Sequence, residues 1–152
     1  MRTSAPLLAA LMLFGCCLRP GTALADEAAS PPQCHDLAAR YFARDHGAGI
    51  ERNDYVDPDT RKTLYDETRS TFRDYYRAPR KQCFVVISIE NTTSLDAARN
   101  RTVWVIAIEL NANRSAGLFH QTNDSADICF VGDRDCRSRA EWDSLLQPYL
   151  HD

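Results

Sequence analysis

Motifs of the common enzyme classes are missing from this chain of 152 residues. It has no G-x-S-x-G nucleophile motif, no H-E-x-x-H zinc motif, no C-x-x-C pair and no glycine-rich phosphate loop. Its four histidines have spacings that match no metal-binding motif. The sequence therefore predicts neither a metal site nor a cofactor, and it favours a binding domain over an enzyme.

Long apolar segments are also missing. The apolar run Leu7–Leu18 is too short for a membrane-spanning helix, so no transmembrane span is predicted. An A-x-A cleavage signal follows at Ala23–Ala25, which predicts that residues 1–25 are a secretory signal peptide. Cleavage leaves one domain, residues 26–152, in the periplasm or outside the cell. The residues around Cys16 also resemble a lipoprotein cleavage box, and the alternative to soluble export is a lipid anchor on Cys16.

Basic charge is not in excess. The chain contains 18 Lys and Arg against 21 Asp and Glu, a net charge of −3. Loss of the predicted signal peptide removes two arginines and no acidic residue, which leaves 16 basic against 21 acidic residues, a net charge of −5. Proteins that bind nucleic acids need basic surfaces for the phosphates. The predicted partner is therefore not a nucleic acid but an envelope or extracellular protein, or a glycan.

The predicted mature domain contains four cysteines, Cys34, Cys83, Cys129 and Cys136. Disulfides persist outside the cytoplasm, and four cysteines allow three pairings. Cys129 and Cys136 flank a turn that brings them close, which predicts this pair and leaves Cys34 with Cys83. A zinc site of four cysteines is the competing interpretation. The lack of a C-x-x-C pair and an oxidising compartment both argue against it.

Apolar spacing predicts two helices in the N-terminal half of the domain. A capping box at Ser30 begins the first helix, whose apolar stripe includes Cys34 and which ends near Gly47. Asp57-Pro58 begins the second, in which apolar and aromatic residues recur at helical spacing as far as Arg77. The polar segment between the two helices is predicted to be a loop.

Four strands are predicted to follow. Segments rich in β-branched and apolar residues alternate with turn residues, as the strands of one sheet do. Their predicted ranges are Gln82–Glu90, Thr102–Asn111, Leu118–Thr122 and Asp127–Val131. Helices that are separate in sequence from consecutive strands predict an α+β domain. In it, an antiparallel sheet of about four strands has the helices on one face.

A turn and a C-terminal helix complete the predicted domain. Gly132–Asp135 has the composition of a tight turn. Ser138 and Glu141 form a capping box at the start of the helix. An apolar stripe that includes Trp142 predicts that the helix packs on the core, and Pro148 is expected to end or kink it.

Two stretches of the chain resemble a known family. The strand start Gln82-Cys83-Phe84-Val85 and the C-terminal pattern from Cys129 to Tyr149 resemble a family of small exported bacterial proteins with four cysteines and no assigned activity. The resemblance implies export, disulfides and a single domain. It transfers no catalytic residue to this chain.

Two classes of function follow from these observations. The first is a non-catalytic binding or inhibitor-like domain that uses the bridged turn, because a preordered loop loses little entropy on binding. The second is a small envelope hydrolase with a carboxylate or His120 site. The candidate contact residues are Asp133, Arg134, Asp135, His120, Tyr75 and Tyr76. A deep pocket with a titratable pair would favour the hydrolase, and a shallow sheet would favour the binding domain.

Overall fold

The computed structural model describes residues 30–95 and 98–151. The predicted signal peptide, its cleavage site and Cys16 lie outside these ranges. The described residues form mostly β-structure, with one helix at each end. The elements in chain order are α1 (Pro31–His46), β1 (Ile50–Val56), β2 (Thr63–Arg77), a 3-10 helix (Ala78–Arg80), β3 (Gln82–Leu95), β4 (Ala98–Glu109), β5 (Arg114–Thr122), β6 (Ser125–Val131), β7 (Arg134–Asp135) and α2 (Arg139–Leu150).

The strands form one antiparallel sheet of seven strands in which each strand pairs with the next one in sequence. The strands β2, β3 and β4 are the longest, and β1 pairs with the first half of β2, over Thr63–Arg69. The strands β1 and β7 form the two edges of the sheet. This meander places residues that are distant in sequence in cross-strand rows, which matters for the sites described below.

The region predicted as the second helix forms the strand β2, so that prediction is wrong. Apolar positions three and four residues apart suit a helix, but they also fall on both faces of a strand. Residues such as Thr71, Phe72 and Tyr75 pack well on a pleated surface. The backbone of β2 pairs with β3 over residues 64–77 and with β1 over residues 63–69, which gives its N–H and C=O groups partners. The tertiary pairing therefore overrides the helical spacing.

The sheet has seven strands rather than the predicted four. The strand β1 forms in the segment predicted as a loop, and β3 and β4 extend into the predicted polar connection, over residues 91–95 and 98–101. Polar side chains hold this extension together. Asn91 Nδ2 on β3 donates to Asp66 Oδ1 at 2.6 Å and to Thr68 Oγ1 at 3.0 Å on β2. Cross-strand polar pairs, rather than apolar content, therefore stabilise the outer halves of these strands.

The two helices pack on opposite faces of the sheet, so the prediction of helices on one face is also wrong. Consecutive residues of β3, such as Phe84 and Val85, are both buried, and they point to opposite faces. The core under α1 contains Ala38, Phe42, Val85, Ile87 and Ile108. The core under α2 contains Phe84, Val105, Ala107, Ala116, Phe119, Val131, Cys136, Trp142, Leu146 and Leu150. The apolar run in β3 therefore reflects a strand that is covered on both sides.

A disulfide secures each helix to the sheet. Cys34 on α1 is bonded to Cys83 at the start of β3, with 5.4 Å between the Cα atoms. Cys129 on β6 is bonded to Cys136 just before α2, with 4.9 Å between the Cα atoms. Both separations lie within the usual range for disulfides.

The C-terminal helix begins where its sequence predicts and continues past Pro148. The backbone N–H of Glu141 donates to Ser138 Oγ at 3.2 Å, which caps the first turn. Trp142 is buried, and its Nε1 donates to the Phe130 carbonyl at 3.2 Å. The helix ends at Leu150 rather than at Pro148. Within the described ranges, neither helix is long and apolar enough to cross a membrane.

Candidate functional site

The predicted contact turn is exposed and held at both ends. Arg134 and Asp135 form the short strand β7, which pairs with the end of β6. Gly132 has φ +60, a conformation that L residues rarely adopt, as its turn requires. The side chains of Asp133, Arg134 and Asp135 are exposed and lie between the bridged cysteines. The turn presents three charges to solvent, but these three side chains do not line the groove described below.

Tyr75 and Tyr76, two of the candidate contact residues, point to opposite faces of the sheet, because neighbours on a strand do so. Tyr75 packs against the core under α2 and lies edge-on to His151, with 5.6 Å between the ring centroids. Tyr76 pairs with Cys83 and shares its face, which is the face under α1. The structure therefore places the two rings on different faces, and they cannot contact one ligand together.

His120 lies on β5 with its ring stacked on Trp104, at 3.8 Å between the ring centroids. A bulge in the pairing of β5 with β6 leaves Asp127 as an extra residue, since His120 pairs with Ile128 and Gln121 with Ala126. The bulge brings Asp127 Oδ2 to 3.3 Å from the buried Nδ1 of His120, without hydrogen-bond geometry. Thr122 Oγ1 donates to the same carboxylate oxygen at 2.9 Å. The structure thus brings a histidine and a carboxylate together, as a hydrolase site would require.

A second group of residues, which the sequence did not suggest, lines a groove on the face that carries α2. The groove has a volume of about 450 Å³. We call it the arginine–glutamate groove, and its lining residues are Tyr65, Glu67, Arg69, Glu90, Thr92, Ser94, Arg99 and Arg101. All of them belong to the outer halves of β2, β3 and β4.

Strand alternation and register explain why these residues converge. Every second residue of a strand points to the same face. The register then aligns them in rows across the three strands. Tyr65 is opposite Ser94, which is opposite Arg99; Glu67 is opposite Thr92, which is opposite Arg101; and Arg69 is opposite Glu90. The groove is therefore built on rigid strands rather than on loops.

Arginines hold both glutamates of the groove. Glu67 accepts hydrogen bonds from Arg69 on its own strand and from Nε of Arg52 on β1, the latter at 2.6 Å. Glu90 accepts two bonds from Arg101, at 2.6 Å from Nε and 3.0 Å from Nη2. Bidentate pairs of this kind fix the planes of both groups.

These bonds also set the charge of the groove. The hydrogen bonds from Arg69 and Arg52 lower the pKa of Glu67, and the hydrogen bond from Arg101 lowers the pKa of Glu90. Both carboxylates are therefore ionised at neutral pH. The same pairing with Glu90 raises the pKa of Arg101, which stays cationic. The pattern of charges is thus fixed before any ligand arrives.

Arg99 and Tyr65 are the members of the groove that lack such pairing. Arg99 makes no hydrogen bond or ion pair with any residue in the described parts of the chain, although its positive charge helps to lower the pKa of Glu90. The Tyr65 side chain is exposed, at 54%. The groove therefore offers one unpaired cation and one open aromatic ring beside two neutralised pairs.

The residues of the groove were missed because they depend on strand assignments that the sequence did not give. Polar and charged residues at alternate positions, such as Tyr65, Glu67 and Arg69, mark one face of a strand. The same residues have no common face on a helix. A correct strand assignment for residues 63–77 was the signal that could have revealed the groove.

Comparison with protein-family models, curated proteins and solved structures found no match to this chain. Within the described residues, no three His, Cys, Asp or Glu side chains are grouped as a metal site would require.

Proposed function

We propose that this chain is an exported binding domain that holds an acidic glycan in the arginine–glutamate groove. The observation that carries the proposal is the fixed position of the guanidinium groups around an open, polar groove. Arg69 and Arg101 are held by Glu67 and Glu90 on paired strands. Side chains that are already ordered lose little entropy when a ligand binds.

Two disulfides support export, because such bonds persist mainly outside the cytoplasm. The A-x-A signal before Asp26 points in the same direction. The proposed site of action is therefore the periplasm or the extracellular space.

The chemistry of the groove favours an acidic sugar over an apolar ligand. The unpaired guanidinium of Arg99 suits a carboxylate or sulfate, which it can bind through two parallel hydrogen bonds. The hydroxyls of Thr92 and Ser94 can exchange hydrogen bonds with sugar hydroxyls. The exposed ring of Tyr65 offers an apolar surface for the face of a sugar ring. A volume of about 450 Å³ also lies within the usual range of ligand sites.

The test compares a short oligogalacturonate with its uncharged methyl ester by isothermal titration calorimetry. The acid is expected to bind and the ester is not. Arg99→Ala and Arg101→Ala should each weaken binding about tenfold or more, because each removes a charge-assisted hydrogen bond. Arg80→Ala is the matched control, since Arg80 is exposed on the 3-10 helix, outside the groove.

Equal affinity of the wild type, Arg99→Ala and Arg101→Ala would contradict this use of the groove. Polyglutamate serves as a second probe. Binding of polyglutamate without binding of the oligogalacturonate would show that the ligand is an acidic protein segment and would overturn the assignment to a glycan.

The pair of His120 and Asp127 supports a second candidate function, a small hydrolase. The observation in its favour is the 3.3 Å separation of Nδ1 from Oδ2. Against it, neither His120 nor Asp127 lines the arginine–glutamate groove. Hydrolysis of ester and glycoside substrates that disappears in His120→Ala, with the fold intact, would establish this alternative.

A further inference from the structure

The edge strand β1 is open to solvent along its whole length. All seven residues of Ile50–Val56 are exposed, and within the described part of the chain they pair on one side only, with β2. Ile50 and Val56 are 60% and 55% exposed, although both are large apolar residues. Natural proteins usually protect such an edge, because its free N–H and C=O groups can pair with another strand.

Hydrogen bonding to β2 determines which residues of β1 turn their backbone groups outward. The N–H of Ser70 donates to the Gly49 carbonyl at 2.6 Å, and these residues continue the register that places Ile50 opposite Arg69. Bonded positions alternate along an antiparallel pair, so the inward groups belong to Glu51, Asn53 and Tyr55. The outward groups therefore belong to Ile50, Arg52, Asp54 and Val56.

We propose that β1 pairs in antiparallel fashion with β1 of a second copy of this chain, about a twofold axis that passes beside Asn53. This register places Arg52 opposite Asp54 of the second copy, and Asp54 opposite its Arg52. Ile50 and Val56 lie opposite each other in the same way. Each of these opposed residues has outward backbone groups, so every pair can exchange two hydrogen bonds.

Charge complementarity selects this register over its neighbours. A twofold axis beside Arg52 would oppose two arginines, and an axis beside Asp54 would oppose two aspartates. Like charges directly opposite each other destabilise a strand pair. Registers shifted by one residue would oppose inward with outward groups and lose the hydrogen bonds. The strand is therefore complementary to itself only when Asn53 faces Asn53.

The side chains of the two charged residues are available for this contact. Asp54 makes no hydrogen bond or ion pair within the described parts of the chain. Arg52 uses its Nε for Glu67. Its terminal nitrogens carry further donors, since a guanidinium has five N–H groups.

Pairing of this kind would also align the binding surfaces. A twofold axis perpendicular to the sheet keeps the same face of both copies on one side, so the two arginine–glutamate grooves would face the same way. This consequence, unlike the pairing itself, depends on the proposed function. Two grooves on one surface would bind a polymeric ligand more tightly than one groove.

Sedimentation equilibrium of the oxidised domain tests the pairing without any ligand. The wild type is expected to reach the mass of a dimer as its concentration rises. Asp54→Arg opposes arginines in two symmetrical pairs and should raise the dimer dissociation constant about tenfold or more. Asp59→Arg makes the same charge change at an exposed position outside β1 and should leave the constant unchanged. Circular dichroism checks that each variant is folded.

A mixture of two charge-reversed variants tests the proposed pairing of Arg52 with Asp54 more sharply. Asp54→Arg and Arg52→Glu should each dimerise poorly alone, but together they should form a heterodimer, because opposite charges again face each other. Asp54→Pro should also abolish pairing, since it removes an outward N–H and no bond to β2. A wild type that stays monomeric at millimolar concentration would overturn the proposal. So would a dimer that Asp54→Arg and Asp54→Pro leave intact, because its interface would lie elsewhere.

Discussion

His35 on α1 and Asp74 on β2 connect the first helix to the sheet, with 3.0 Å between Nδ1 of the histidine and Oδ1 of the aspartate. The hydrogen bond to Asp74 and its negative charge raise the pKa of His35 above the ordinary value of 6.5. A raised pKa in the folded state means that protonation favours folding. The contribution is fully present below pH 6.5 and is lost as the pH rises through the raised value.

The first prediction follows from this pair. The stability difference between the wild type and His35→Ala should be larger at about pH 5.5 than at about pH 8.5, and Asp74→Asn should show the same pattern. Urea denaturation at both pH values measures it. A difference that is independent of pH would show that the two side chains do not interact in solution.

The two disulfides should contribute unequally to stability. Cys34–Cys83 spans 49 residues and Cys129–Cys136 spans 7. In the chain-entropy model, loops of these lengths stabilise by about 4 and about 2.5 kcal/mol. Urea denaturation of the two double Cys→Ala variants should therefore show the greater loss for Cys34 and Cys83. The opposite ranking would contradict an entropic origin of the effect, and peptide mapping without reduction checks the pairing itself.

Trp142→Ala should destabilise the domain by about 3–5 kcal/mol. The indole is 1% exposed and packs among the residues of the core under α2, so its removal leaves a cavity and removes the hydrogen bond from Trp142 Nε1 to the Phe130 carbonyl. Denaturant midpoints measure the loss. Ser144→Ala, at an exposed position on the same helix, is the control and should change stability by less than about 0.5 kcal/mol. Equal midpoints for the two variants would indicate that α2 is not docked.

Substitutions at Gly47 and Gly49, between α1 and β1, allow the cost of backbone strain to be compared with the cost of a steric clash. Gly47 and Gly49 have φ values of +51 and +81, so alanine at either position should cost about 1–3 kcal/mol. A Cβ on Gly47 would meet nothing within 4 Å, whereas one on Gly49 would lie 2.6 Å from the Ser70 carbonyl oxygen. Gly49→Ala should therefore be the more destabilising of the two, by about 1–3 kcal/mol. Thermal or urea denaturation compares them, and equal losses would mean that the backbone near Ser70 moves freely.

Local signals predicted the helices at the two ends of the domain and the centre of the sheet. The Ser30 carbonyl accepts from the N–H of Cys34, and the Ser138 hydroxyl accepts from the N–H of Glu141. Each helix start is therefore specified by residues within one turn of the serine. The β-branched runs of β3 and β4 are similarly local. These elements could be predicted because the residues that determine them are adjacent in the chain.

The remaining elements depend on partners that are distant in sequence. The exposed residues of β1 show no apolar periodicity, and only pairing with β2 makes them a strand. The apolar spacing in β2 fits a helix as well as a strand, and the pairing with β3 determines that the segment is a strand. The arginine–glutamate groove needs the registers of β2 with β3 and of β3 with β4 together, and Asp127 reaches His120 only through a bulge. Sequence patterns carry none of this information directly.

The pairing of each strand with its neighbour in sequence also bears on oxidative folding. Cys34 and Cys83 both lie within the segment from α1 to the start of β3, and Cys129 and Cys136 both lie between β6 and α2. The two covalent loops therefore neither overlap nor enclose each other. Each bridge can close once its own segment has folded, over 49 residues for Cys34–Cys83 and over 7 residues for Cys129–Cys136. The connectivity therefore lets either bridge form without the other.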